Sequence, residues 1–171
     1  FEQRHRDRFS LWLRLEKDPK KLEQIRQSIG YNTYQSEKAI ESGGFFGKGF
    51  LEGTQTKLNF VPEPSTDFIF CTIGEEQGFI GVFGIIVLYV LFLYRITVIA
   101  ERQRSDFSRN YAYGVAGILF FHFFINIGMT MGLVMIIGIP LPFISYGGSS
   151  LLAFSLMIGV LLKLDSNRYS I

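Results

Sequence analysis

The chain has a single cysteine, Cys71, and it lacks several of the patterns that mark familiar catalytic or binding sites. One cysteine cannot form an internal disulfide or a multi-cysteine metal site. No histidine lies near the serines of residues 145–150, which argues against a serine nucleophile with a neighbouring base. Gly47-Lys48-Gly49 lacks the full spacing of a phosphate-binding loop. Basic and aromatic residues are not interleaved, so we expect no nucleic acid partner.

Charge is missing from two long stretches of this 171-residue chain. Gly78 to Tyr94 is a 17-residue run without Asp, Glu, Lys or Arg, and Tyr111 to Leu162 is a 52-residue run of the same kind. Because about 20 apolar residues cross a bilayer, the first run predicts one membrane-spanning helix and the second predicts two. We therefore predict an all-α integral membrane protein, with three transmembrane helices preceded by a large, irregular, partly helical extracytoplasmic loop.

The segment boundaries are predicted from the positions at which charge and proline return. The extracytoplasmic loop region takes residues 1–77, and residues 1–27 within it form either an interfacial segment or a solvated linker. The first two helices take residues 78–100 and 111–137, and residues 151–164 are the end of a third helix that starts near residue 145. Residues 101–110, 138–150 and 165–171 form the two connecting loops and the tail.

Orientation is predicted from the basic residues of the short loop and of the tail. Arg102, Arg104 and Arg109 lie between the first two predicted helices, and Lys163 and Arg168 lie at the end of the chain. Short cytoplasmic loops are rich in Lys and Arg, which predicts a cytoplasmic C-terminus. Residues 1–77 and 138–150 then face outside, although residues 1–28 carry eight Lys/Arg against five Asp/Glu.

The chain begins with Phe1 and shows no signal-peptide pattern. Three helices are few to enclose polar chemistry within lipid. We therefore expect the chain to be part of a longer multispanning protein, and to be inactive by itself.

Asp67 is the most informative charged residue, because it stands at the start of an apolar run that leads into the first predicted helix. Ionisable residues at membrane depth often have a function, and a carboxylate here could act as a general base. The alternative is a first-turn acid favoured by the helix dipole, with Ser65 or Thr66 as the N-cap. The local pattern leaves both interpretations open.

Glu75 and Glu76 follow closely and raise the possibility of a two-carboxylate mechanism. On a continuous helix, however, Glu75 lies about 12 Å beyond Asp67 along the axis. The carboxylates of glycosidases are separated by about 5 to 10 Å. A catalytic pair would therefore require a bend at Gly74, and interfacial charge is the alternative role for both residues.

Other polar groups lie near the predicted membrane boundary. His122, Asn126 and Thr130 recur every four residues and form one stripe, for which hydrogen bonding between helices is favoured over catalysis. The amides and hydroxyls of residues 145–150 suit an anionic group such as phosphate at a helix start. Lys48 and Lys57 are point charges suited to a pyrophosphate.

Several segments together carry a family resemblance. They are Tyr34-Gln35-Ser36, Ser42-Gly43-Gly44-Phe45-Phe46-Gly47-Lys48-Gly49, Gly53-Thr54-Gln55, Phe60-Val61-Pro62-Glu63, Thr66-Asp67-Phe68-Ile69-Phe70, Gly74-Glu75-Glu76, and Leu141-Pro142-Phe143-Ile144-Ser145-Tyr146-Gly147-Gly148-Ser149-Ser150. In order and spacing they resemble the C-terminal part of the SEDS family, the bacterial shape, elongation, division and sporulation proteins. The elongation branch is the more similar, and the division branch comes next.

This resemblance implies an inner-membrane peptidoglycan glycosyltransferase, of which the chain holds a large external loop and the last three helices. It implies that Asp67 is the catalytic carboxylate and that lipid II is the substrate. It also implies two further partners, a class B penicillin-binding protein and the surrounding membrane lipids. A divalent cation, Mg²⁺ or Mn²⁺, could assist the pyrophosphate, without an identifiable ligand set. The candidate substrate-binding residues are Lys48, Gln55, Lys57, Glu63, Thr66, Glu75, Ser145, Gly147, Gly148 and Ser149.

Two other functions remain open for such a chain. A transporter or flippase of lipid-linked precursors would use the stripe of His122, Asn126 and Thr130 to line a passage, and would not need Asp67. A membrane scaffold of the cell-wall machinery would depend on its surface rather than on one carboxylate.

Overall fold

A computed structural model of the chain describes residues 31–50, 52–54, 66–134 and 136–167. Within these ranges four helices and no strands are found: α1 Tyr31–Gly43, α2 Ile69–Glu101, α3 Asp106–Thr130 and α4 Gly148–Ser166. The last three are long and apolar enough to cross a membrane. The prediction of an all-α membrane protein with three transmembrane helices is therefore confirmed. The predicted interfacial segment or linker at residues 1–27 lies outside the described residues.

The ends of the helices differ from the predicted segments. α2 begins at Ile69 rather than near Gly78, because Glu75 and Glu76 are part of the helix and do not precede it. α3 begins at Asp106 and ends at Thr130, before the predicted end at residue 137. Gly132 has a φ of +69°, and the amide of Leu133 binds the carbonyl of Gly128 at 2.8 Å. This glycine-based C-cap ends α3.

α2 is broken at Gly78, where φ is 65° and ψ is −159°. At the break, backbone N–H groups after Gly78 cannot bond to the carbonyl groups before it as they would in a continuous helix. The glycine loop, residues 43–50, forms hydrogen bonds with both sets of groups. Phe79 N and Ile80 N donate to Gly44 O (3.0 Å) and Phe45 O (3.4 Å), and Lys48 N and Gly49 N donate to Glu75 O and Glu76 O (both 3.0 Å). Unsatisfied backbone groups are costly at a membrane. The glycine loop supplies the hydrogen-bond partners that these four backbone groups of α2 lack because of the break.

The glycine loop lies so close to α2 that two of its glycines, Gly43 and Gly47, have no room for a side chain. A β-carbon on Gly47 would lie 2.1 Å from the carbonyl oxygen of Glu76, whereas one on Gly44 would meet no described atom within 4 Å. Gly47 and Gly44 both have positive φ, +79° and +58°. Gly44 and Gly47 therefore form a matched pair. A substitution at Gly44 tests backbone strain alone, and one at Gly47 tests backbone strain together with the close contact to α2.

We expect Gly44→Ala to lower the free energy of unfolding by about 1 to 2 kcal/mol, the cost of a left-handed alanine. Gly47→Ala should cost about 1 to 3 kcal/mol more, because it also forces the loop away from the helix. Thermal unfolding of the full-length variants in detergent measures the difference. Equal losses from the two substitutions would contradict the close packing of the loop on α2.

α3 is the central helix of the three spans. Its small residues Ala112 and Ala116 are buried with Ala100 of α2, and Leu161 of α4 belongs to the same core. Small side chains let membrane helices approach closely. A second cluster, formed by Ala39, Phe68 and Cys71, joins α1 to the beginning of α2. This second cluster fixes the segment that carries Asp67.

Candidate active site

Asp67 lies in the turn formed by residues 66–68, directly before α2. Phe68 occupies the N-cap position, and no side-chain cap is formed there. Asp67 is therefore not a first-turn acid, and Thr66 is not the N-cap, because the helix begins at Ile69 after Phe68. The other predicted cap, Ser65, lies outside the described residues. Phe68 and Phe70 are buried, at 3% and 1% exposure, while Asp67, directly before Phe68 in the turn, is partly exposed. The two aromatic side chains thus anchor the chain on which the carboxylate stands.

The backbone of Asp67 is held by Asn126 of α3. Asn126 Nδ2 donates to Asp67 O at 2.9 Å and to Ile139 O at 2.8 Å. The carboxylate lies against Gly138, since a β-carbon on that glycine would be 3.0 Å from Asp67 Oδ2. Gly138 also has a φ of +74°, which favours glycine. The turn before α2 and the loop before α4 therefore meet at Asp67.

The loop before α4 is fastened on several sides. Leu141 N donates to Ser145 Oγ at 2.8 Å, and Tyr89 of α2 donates its hydroxyl to Pro142 O. Phe143 has a φ of +64°, unusual for a residue with a side chain. Its ring packs against Phe154 of α4, with a centroid separation of 5.8 Å. Ser145 thus has a role in the turn, in addition to any contact with substrate.

The same loop ends at the beginning of α4. Gly147 occupies the N-cap position, and Gly148 and Ser149 in the first turn are exposed. The first amides of a helix have no partner within the helix and carry partial positive charge. This end of α4 thus exposes the helix start at which the sequence predicts an anion site, and the binding of an anion there stays a prediction.

Lys48 and Glu75, two of the candidate substrate-binding residues, bind each other. Lys48 Nζ donates to Glu75 Oε1 at 2.8 Å and to Thr54 Oγ1 at 2.7 Å, and Thr54 Oγ1 lies 3.3 Å from Glu75 Oε1. The Glu75 side chain is fully buried, whereas that of Lys48 keeps 27% exposure. The bend that a carboxylate pair would need lies at Gly78 and not at Gly74. The ion pair fastens the glycine loop to α2.

The remaining predicted residues are placed as follows. Thr66 is partly exposed in the turn beside Asp67, and Gln55, Lys57 and Glu63 lie outside the described residues. No three His, Cys, Asp or Glu side chains within the described ranges form a group that could hold a metal ion. The divalent cation stays a prediction from sequence, and no step below is assigned to it.

The polar stripe on α3 divides into three separate environments. His122 packs edge to face against Phe154, at a centroid distance of 5.1 Å. Thr130 Oγ1 donates to Ile127 O within α3, while Thr130 O accepts a bond from Ser36 of α1 at 2.9 Å. The side chain of Asn126 bonds to the Asp67 turn. The four-residue spacing of the stripe predicts a shared helix face, but the partners of Asn126 could not be deduced from spacing.

Comparison with known proteins identifies the family of the chain. The profile of the FtsW/RodA/SpoVE family, described as cell cycle proteins, matches residues 1–170. The chain belongs to this family. The SEDS resemblance predicted from the sequence motifs is thereby confirmed.

Two members of the FtsW/RodA/SpoVE family illustrate the similarity. The chain is 44% identical over 139 residues to the peptidoglycan glycosyltransferase MrdB of Escherichia coli (strain K12), with 81% of this chain and 38% of MrdB covered. It is 42% identical over 163 residues to the peptidoglycan glycosyltransferase RodA of Treponema pallidum (strain Nichols), with 94% and 36% covered. The chain thus spans little more than a third of the length of these relatives.

A solved structure has the same fold. It comes from a study of how a peptidoglycan synthase complex coordinates polymerization and crosslinking, and it matches with a TM-score of 0.72 at 30% identity. The match covers 95% of this chain and 46% of the other chain.

Proposed function

We propose that the protein to which this chain belongs is a peptidoglycan glycosyltransferase that polymerises lipid II for cell elongation and shape. Two relatives carry that enzyme name. The observation that carries the proposal is the placement of Asp67, a partly exposed carboxylate beside a membrane helix, with its backbone fixed by Asn126. A rigid carboxylate at this depth suits a substrate with a polar sugar and a lipid tail.

Asp67 is assigned the role of general base. Its carboxylate takes the proton of the acceptor's GlcNAc 4-hydroxyl while that oxygen attacks the anomeric carbon of the lipid-linked donor strand. The new glycosidic bond forms as the bond from the anomeric carbon to the pyrophosphate breaks, and undecaprenyl pyrophosphate leaves with both bonding electrons. One well-placed base contributes about 100- to 10,000-fold to such a step.

The leaving group requires a stabilised negative charge. The exposed start of α4, with Gly147, Gly148 and Ser149, offers helix amides for this purpose. Lys57 is a second candidate, assigned from sequence. Lys48 is engaged with Glu75, so its contribution to pyrophosphate binding would require a second contact from its exposed side.

The reaction takes place at the outer leaflet of the bacterial inner membrane in this proposal. Residues 1–77 and 138–150 lie outside and the C-terminus lies in the cytoplasm, as the basic loop between α2 and α3 favours. A class B penicillin-binding protein supplies the transpeptidase. The structural neighbour, a complex in which polymerization and crosslinking are coordinated, supports a partner of this kind.

The proposal is tested against transport with one preparation of the full-length protein. Purified lipid II is offered in detergent, where polymer is measured, and in sealed vesicles, where movement of labelled lipid II between leaflets is measured. We expect polymer without translocation. Translocation without polymer would identify a flippase instead, and the absence of both with an intact partner complex would favour a scaffold. The passage expected of a flippase finds no support in Asn126, which is fully buried.

A further inference from the structure

Asn126 joins two segments that are far apart in the chain. Its side chain is fully buried in α3, and its Nδ2 group donates one bond to Asp67 O and another to Ile139 O. A primary amide has two N–H donors on one nitrogen, so a single side chain serves both carbonyls. The bonds set the separation of the turn before α2 from the loop before α4.

The carboxylate of Asp67 is bounded from the other side by Gly138. The space there is narrow, because a β-carbon on Gly138 would be 3.0 Å from Asp67 Oδ2. Gly138 is adjacent to Ile139, whose carbonyl Asn126 binds. One side chain therefore fixes both the backbone of Asp67 and the surface against which its carboxylate lies.

We propose that Asn126 is a positioning residue for Asp67, which aims the carboxylate by holding the Asp67 and Ile139 carbonyls together. The inference rests on the proposed function and names a residue through which it operates. Asn126 touches no reacting atom. Its effect is on turnover, because a displacement of about 1 Å in a reacting group can lower a rate by about 100-fold.

The test compares Asn126→Leu with Thr130→Val in the full-length protein. Leucine has a similar size and no N–H donors, so it removes both bonds to the carbonyls. Thr130 is also fully buried in α3, but its hydroxyl binds only within the helix, to Ile127 O, which makes it a matched control for lost hydrogen bonding. We expect Asn126→Leu to lower kcat about 10- to 100-fold with KM for lipid II near the wild-type value. Thr130→Val should lower the melting temperature and leave kcat unchanged.

Gly138→Ala provides a second approach to the same carboxylate. It leaves Asn126 intact and places a methyl group beside Asp67 Oδ2 in a left-handed residue. The same loss of kcat at constant KM is expected. If Asn126→Leu cannot be purified, this variant still tests the premise of the inference, that the placement of the Asp67 carboxylate controls kcat.

Two outcomes overturn the inference. One is a kcat for Asn126→Leu equal to that of Thr130→Val, and the other is wild-type kcat in a folded Gly138→Ala. Asp67→Asn is measured alongside. If it loses turnover while the positioning variants keep theirs, only the role of Asn126 fails; if Asp67→Asn keeps wild-type turnover, the proposed catalytic carboxylate fails.

Discussion

Asp67→Asn in the full-length protein is expected to lower kcat for lipid II polymerisation by about 100- to 10,000-fold. The amide has nearly the same size as the carboxylate but does not accept the acceptor's proton. The bond from Asn126 reaches the backbone carbonyl of residue 67, so it survives the substitution. The variant should therefore fold, bind lipid II and fail in turnover.

Two further substitutions define what Asp67 contributes. Asp67→Glu keeps the carboxylate but moves it by one methylene against Gly138, and an intermediate rate is expected. Asp106→Asn removes an acid whose side chain is 91% exposed in the first turn of α3, and it should leave kcat unchanged. A folded Asp67→Asn enzyme with the turnover of Asp106→Asn would remove Asp67 from the mechanism.

Lys48→Met is expected to lower the free energy of unfolding by about 3 to 5 kcal/mol, as when one partner of a buried ion pair is removed. The reason is the carboxylate that remains: the Glu75 side chain has no exposed surface. Of the three bonds that join Lys48, Thr54 and Glu75, the one between the Thr54 hydroxyl and Glu75 Oε1, at 3.3 Å, would remain. The glycine loop, which bonds to both sides of the break in α2, would lose the ion pair that joins it to this helix.

The opposite substitution should cost less. Glu75→Gln leaves Lys48, whose side chain is 27% exposed and can reach water, so a loss of about 1 to 2 kcal/mol is expected. The double variant Lys48→Met with Glu75→Leu should be more stable than Lys48→Met alone, because no charge is left buried. Chemical unfolding in detergent measures all three variants.

The same series separates a structural role from substrate binding at Lys48. A higher KM for lipid II at unchanged stability in Lys48→Met would support the contact predicted from sequence. A loss of stability that the second substitution restores would support the ion pair. Equal destabilisation by Lys48→Met and Glu75→Gln would contradict the asymmetry in burial.

The existence of the three spans was predictable, because charge-free runs of membrane length have few other interpretations. Their ends were less so. In the sequence, Glu75 and Glu76 indicate the boundary of a membrane helix, yet a carboxylate can lie inside a helix when a lysine from another segment binds it, as Lys48 binds Glu75. The end of α3 was visible in principle, since Gly132 has the position and conformation of a helix C-cap.

The candidate site likewise has one part that could be predicted from the sequence and one that could not. Asp67 could be singled out from its place in the chain and from the family motif. The bond from Asn126 joins residues 59 positions apart, and periodicity identifies a helix face without identifying what that face contacts. The match between the glycine loop and the break at Gly78 is equally non-local, although both segments are visibly rich in glycine.

Release of undecaprenyl pyrophosphate and formation of polymer, measured together for wild type and Asp67→Asn, test the role of Asp67 most directly. Both proteins are purified at full length and given the same lipid II, and binding of lipid II is measured in each. The wild type should form glycan bonds and release the carrier in equal amounts, while Asp67→Asn should bind lipid II and do neither at a comparable rate. Carrier release and polymer at the wild-type rate from folded Asp67→Asn would contradict the assignment.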